Sequence, residues 1–68
     1  MIMLETKSKT VSAVGYDSNK KVMRVKFYSG AMYEYSDIDF KDYKEIIQSE
    51  SIGSTLRKTV NGKQYKKL

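Results

Sequence analysis

The hydrophobic period of this chain switches from two to helical at Asp37, and that switch constrains the fold more than any other feature. Ahead of it the pattern repeats every two residues. Across Val22–Tyr28, Met23, Val25 and Phe27 fall on one face, with Arg24, Lys26 and Tyr28 on the other. That alternation marks a half-buried strand. Ala31–Ser36 repeats it, with Ala31, Tyr33 and Tyr35 opposite Met32 and Glu34. Between the two, Ser29-Gly30 supplies the small, conformationally free residues of a tight hairpin. Upstream, Val11–Tyr16 is short, β-branched and aromatic, and it stops at Asp17-Ser18-Asn19, whose side chains bond local backbone and favour a turn. Together the three segments predict an antiparallel meander.

Beyond Asp37 the period is helical. Phe40, Tyr43, Ile46 and Ile47 form one apolar stripe, predicting a helix of about three turns. Asp39 is suited to the N-cap, and Ile38 is placed to staple onto Tyr43. Ile52, Leu56 and Val60, each four apart, predict a second helix, weakened by Gly53 and two threonines. Asn61-Gly62 accepts the left-handed backbone that closes it. The tail, 63–68, alternates again and predicts a last short strand. The expected fold class is therefore α+β: a three-stranded antiparallel meander followed by two short helices and a short C-terminal strand. Residues 1–10 read as a loosely ordered lead-in, and residues 11–68 as the domain.

A chain of 68 residues has room for one core, and a core of that size rarely supplies more than about 3–5 kcal/mol unaided. With no cysteine there is no disulfide, and with no histidine either a structural zinc site lacks its usual ligands. Local propensity, aromatic packing or self-association into a homo-oligomer must supply the rest. The opening Met1-Ile2-Met3-Leu4 is too short for the apolar stretch of a signal peptide, and no run approaches membrane-spanning length. These readings predict a cytoplasmic protein with no membrane partner.

The same missing residues bear on chemistry. Without an imidazole base or a thiolate, nucleophilic catalysis has no recognisable apparatus, so the expectation is a protein that is not an enzyme and uses no cofactor. Asp37, Asp39 and Asp42 lie close in sequence, as a hard-cation site would ask, but their spacing fits the start of a helix better. The four glycines stand singly, with no phosphate-cradling loop among them. Charge is more informative. Residues 39–50 hold four acids and two lysines, a net of −2, whereas Arg57, Lys58, Lys63, Lys66 and Lys67 face no acid from 57 to 68. This basic end also carries Tyr65, and a basic patch with an aromatic is the minimal footprint of a nucleic-acid or nucleotide binder. Tyr16, Tyr33, Tyr35 and Tyr43 fall on faces assigned to the core, where a buried ring usually carries its hydroxyl to a partner.

Val14-Gly15-Tyr16-Asp17, Val25-x-Phe27, Gly30 with Tyr33-x-Tyr35, Tyr43, Ser51-x-Gly53 and Tyr65-x-x-Leu68 stand in an order and spacing that resembles the KTSC domain family. The likeness spans about residues 11 to 68, and Tyr33-Glu34-Tyr35 matches the family's central Tyr-x-Tyr. The family is named for its occurrence at the C-terminus of some lysyl-tRNA synthetases, and it also occurs as free-standing small proteins of bacteria and phages. The resemblance therefore implies RNA binding. This chain departs from the family at Asp39, where a proline is frequent, and at Thr55-Leu56-Arg57, where Tyr-Phe-Asn is usual.

These observations converge on a binding module for a phosphate-rich ligand, RNA or a nucleotide. Arg57, Lys58, Lys63, Lys66 and Lys67 would contact phosphate, with Tyr65 or Tyr35 stacking on a base. The rival expectation is a small phage-type protein that docks on a host protein and inhibits it. An exposed apolar patch from Met32 and Met1–Leu4 would favour that rival.

Overall fold

A computed structural model describes all 68 residues. The chain runs β1 (Met3–Glu5), β2 (Val11–Asp17), β3 (Val22–Phe27), β4 (Met32–Tyr35), α1 (Phe40–Gln48), α2 (Ile52–Val60) and β5 (Tyr65–Lys67). The class is α+β, as the change of period requires. The sheet, however, has five antiparallel strands in the order β1-β2-β3-β4-β5, not a three-stranded meander with an appendage. Four of the strands precede the helices.

The strand that the sequence hid is β1. Met3, Leu4 and Glu5 pair with Gly15, Val14 and Ala13, so the expected loose lead-in supplies one edge of the sheet. The polar stretch behind it is also tied down. Thr6 Oγ1 donates to the Val11 carbonyl, and Ser8 Oγ accepts from the amides of Thr10 (3.1 Å) and Val11 (3.2 Å). Hydroxyls that bond local backbone in this way hold an irregular segment in one conformation.

The turns obey local chemistry. Asp17 Oδ1 accepts from the amides of Asn19 (2.9 Å) and Lys20 (3.2 Å), closing the β2–β3 connection. At the β3–β4 hairpin the Gly30 amide donates to Phe27 O, and Gly30 sits at φ +97°, a region that glycine enters without penalty. Asp39 occupies the N-cap of α1, but its carboxylate makes no capping bond. Its carbonyl accepts from Asp42 and Tyr43, and its side chain lies 3.6 Å from Lys21. Gly62, at φ +85°, follows α2 as expected. No helix is long and apolar enough to cross a membrane.

Register decides which face each side chain occupies. Met23 pairs with Tyr16 and Tyr35, and Val25 with Val14 and Tyr33, so these residues share the face that the helices cover. A register shift between Val11 and Ala13 brings Val11 to the same face, opposite Phe27. A bulge of this kind re-aims side chains beyond it. The core joins Val11, Val14, Met23 and Val25 of the sheet to Ile38, to Tyr43 and Ile46 of α1, and to Ile52 and Leu56 of α2. Three sequence-based core assignments need correction. Phe27 and Ile47 are only partly buried against this cluster, and Tyr33 lies outside it. The covering helices are nine residues each, about two and a half turns, too short to roof all five strands. Phe40 departs from its stripe: as the first residue of α1 it is 57% exposed.

The other face of the sheet is open and charged. Arg24, Glu34 and Lys66 stand side by side on β3, β4 and β5. Arg24 Nε donates to Glu34 Oε1 at 2.9 Å, and Lys66 Nζ lies 3.3 Å from Glu34 Oε2. The hydrogen bond from Arg24 holds the Glu34 carboxyl below its ordinary pKa, with Lys66 adding to the effect against partial burial.

Candidate functional site

Between α2 and the sheet lies a slot of about 200 Å³, floored by Val11, Phe27 and Tyr35 and walled by Leu56, Arg57 and Val60. The floor belongs to an aromatic cluster. Phe27 and Tyr33 meet edge to face at 5.8 Å between centroids, and Tyr65 lies 5.7 Å from Tyr33 and 5.8 Å from Tyr35. Tyr65 is exposed, on the last strand, whereas Tyr35 is half-buried and its hydroxyl pKa is pushed up by burial.

The sequence-derived site residues do not form one surface. Arg57 and Tyr35, 22 positions apart, line the same slot. Tyr65 pairs with Tyr35 and Lys67 with Tyr33, so both stand on the helix-side face near it. Lys66, one position along the strand, points to the opposite face and is engaged by Glu34. Lys63 is engaged too, its Nζ donating to Asp37 O at 2.9 Å. Lys58 is exposed on α2 and does not line the slot. The run of five bases in the sequence thus becomes a dispersed set, because strand alternation divides Tyr65–Lys67 between two faces. Phe27 and Thr10, which also line the slot, were not singled out as site residues. Phe27 had read as plain core, and nothing in residues 6–10 marks Thr10 in the sequence.

A second aromatic group sits at the far end of α1. Tyr16 stacks on Tyr43 at 5.1 Å and donates through its hydroxyl to Ile38 O at 2.7 Å. Phe40 lies against both rings, at 6.0 and 6.2 Å. With Ile2 and Leu4 these residues line an open hollow of about 400 Å³. Met32, also expected in an apolar patch, is half-buried and stands on the other face of the sheet, paired with Lys26.

The family can now be stated. Residues 7–65 match the KTSC domain. The chain belongs to the KTSC domain family. Its architecture is that of a KTSC domain protein from Yersinia pestis, whose crystal structure superposes with a TM-score of 0.92 at 16% identity, covering 98% of this chain and 96% of that one. An uncharacterized protein from Stutzerimonas stutzeri (strain A1501) is 24% identical over 59 residues, 87% of this chain and 83% of its own length. At these identities the solved relative supports the five-stranded KTSC fold and carries no information about ligand.

Proposed function

We propose that this KTSC domain is a non-catalytic binding module for a ligand that combines a planar base with a phosphate, RNA or a nucleotide. The single observation behind this reading is the convergence of Arg57 and Tyr35 on one mostly apolar slot, with the exposed Tyr65 beside it. Every nucleobase offers a π-face, and stacking on an aromatic side chain is worth about 1–3 kcal/mol per base. A guanidinium at the mouth of such a slot is matched to phosphate oxygens, which it contacts through two parallel N–H groups.

The test is a titration of labelled single-stranded RNA and of nucleotides at several salt concentrations. Each phosphate contact to single-stranded RNA contributes about −0.7 to the slope of log affinity on log salt. Arg57→Ala is expected to flatten the slope by about that amount. Tyr65→Ala should weaken binding by about 1–3 kcal/mol and leave the slope unchanged. Absence of binding by RNA and nucleotides alike at low salt refutes the proposal.

A second reading, docking on a host protein, is favoured by the hollow around Ile2, Leu4 and Phe40, which are 80%, 47% and 57% exposed. Exposed contiguous apolar surface marks interaction sites. Under this reading Phe40→Glu abolishes capture of a purified partner, while Arg57→Ala leaves capture intact.

A further inference from the structure

Resting on the nucleotide-binding reading above, we propose that the ligand's phosphate is seated by Lys7, Lys9 and Arg57, in a cup joined to the slot, and not by the C-terminal lysines. The cup holds about 390 Å³ and lies between the β1–β2 loop and the start of α2. Lys7, Ser8 and Lys9 line it from the loop, and Glu50, Ser54 and Arg57 from the helical side. Thr10, Gly53 and Arg57 line both the cup and the slot, so the two hollows form one continuous site.

Three features separate this cup from an ordinary solvated surface. Its cations are free: the ion pairs of the structure are Lys21–Asp39, Arg24–Glu34 and Lys66–Glu34, and none takes Lys7, Lys9 or Arg57. Three cations against Glu50 alone leave the lining at 3 − 1 = +2. Its loop is also pre-ordered, since Thr6 bonds to the Val11 carbonyl while Ser8 Oγ accepts from Thr10 and Val11. The lysine-bearing backbone therefore loses little freedom when an anion arrives. Finally, the polarity of the lining divides in a way that matches a nucleotide. Five of the eight residues around the slot are hydrophobic, against one of the ten around the cup. The slot alone is smaller than the roughly 300–1,000 Å³ of clefts that hold a small molecule, whereas slot and cup together fall within that range.

The C-terminal lysines compare poorly, since Lys58 and Lys67 line neither hollow. Lys63 and Lys66 already have partners, so binding phosphate there would first break a bond to Asp37 or Glu34. The ligand class that fits is a nucleoside phosphate, with its base against Tyr35 and Phe27 and its phosphate against Lys7, Lys9 and Arg57. It could come as a free nucleotide or as the 5′-phosphorylated end of an RNA strand.

The experiment is calorimetric titration with the four nucleoside 5′-monophosphates, the four nucleosides, and short RNA oligonucleotides bearing either a 5′-phosphate or a 5′-hydroxyl. At least one monophosphate should bind about tenfold or more tighter than its nucleoside, as charge-assisted hydrogen bonds require. Lys7→Ala/Lys9→Ala should cut that difference to what Arg57 alone supplies, a few-fold at most, and leave nucleoside affinity unchanged. Both lysines are exposed, so the fold survives their truncation. Lys63→Ala/Lys67→Ala should leave the difference intact. If the strand end is the ligand, the 5′-phosphorylated oligonucleotide binds at least as tightly as the monophosphate. If the free nucleotide is the ligand, the monophosphate alone shows the gain. A monophosphate that binds no better than its nucleoside, or a gain that survives loss of Lys7 and Lys9 and vanishes with Lys63 and Lys67, overturns the cup and leaves the base slot standing. No binding by any nucleoside, nucleotide or oligonucleotide overturns both.

Discussion

Ile46→Ala is the substitution that most directly tests how the helical layer holds this domain together. Ile46 is fully buried, the one position of α1 sealed from solvent on all sides. Truncating a fully enclosed isoleucine removes its transfer free energy and leaves a void, together costing about 2–5 kcal/mol. At roughly 0.05–0.15 kcal/mol per residue, a chain of 68 residues has a total stability of about 3–10 kcal/mol. One truncation therefore removes from about a fifth to all of what there is. Urea unfolding followed by tyrosine fluorescence reads this directly: with m of about 1 kcal/mol/M, the midpoint should fall by about 2 M or more. Should the alanine variant be unfolded from the outset, Ile46→Val provides the graded point, with an expected loss of about 0.5–1.5 kcal/mol and an unchanged m. Phe27→Ala serves as the contrast. A buried phenylalanine costs about 3–5 kcal/mol on truncation, but Phe27 is half-buried and already borders the slot, so its loss enlarges an open space and creates no sealed void. It should cost less than Ile46→Ala. The reasoning fails if Ile46→Ala shifts the midpoint by under about 1 M, or if Phe27→Ala proves the more damaging of the two.

Stability should depend on pH at both extremes. Glu34 titrates below its ordinary range because of its bond from Arg24, so its contribution is complete above the unfolded value of about 4.3 and is lost as pH falls through the lower folded value. Glu34→Gln should flatten the acid limb of an unfolding-against-pH curve, and an unaltered limb would contradict the assignment. Burial raises the hydroxyl pKa of Tyr16, Tyr35 and Tyr43, so their contribution is complete below the unfolded value of about 10 and is lost as pH climbs through the higher folded values. Thermal melts should accordingly be level up to about pH 10 and drop beyond it, less steeply in Tyr43→Phe. Gly15→Ala probes β1: a Cβ there would stand 2.5 Å from Met3 Sδ and 3.0 Å from the Ile2 carbonyl. The strand must lift, at about 1–3 kcal/mol, and faster amide exchange across Met3–Glu5 is the expected signature; unchanged exchange would show that the methionine alone gives way.

The segments readable without a structure are those whose burial follows from their own period. Met23 and Val25 had to lie on one side of a strand, Tyr43 and Ile46 on one side of the first helix, and Ile52 and Leu56 on one side of the second, whatever they packed against. The turns at Asp17 and Gly30 were equally local, since each depends on what one residue's side chain or backbone can do. By contrast β1 has three residues, none of them buried, and no alternation to detect; only pairing with Gly15, Val14 and Ala13 makes it a strand. The candidate site was legible only in its ingredients. Arg57 and Tyr35 could be picked out by type, but that they share a slot depends on the packing of α2 against the sheet. The C-terminal bases looked like one patch because sequence proximity ignores the strand's two faces, and it was the β4–β5 register that gave Lys66 to Glu34 while leaving Tyr65 beside Tyr35. Lys7 and Lys9 meet Arg57 across some 50 positions of chain. Periodicity reports what a residue does within its own element, and contacts between distant elements are set by the packing energy of the whole fold.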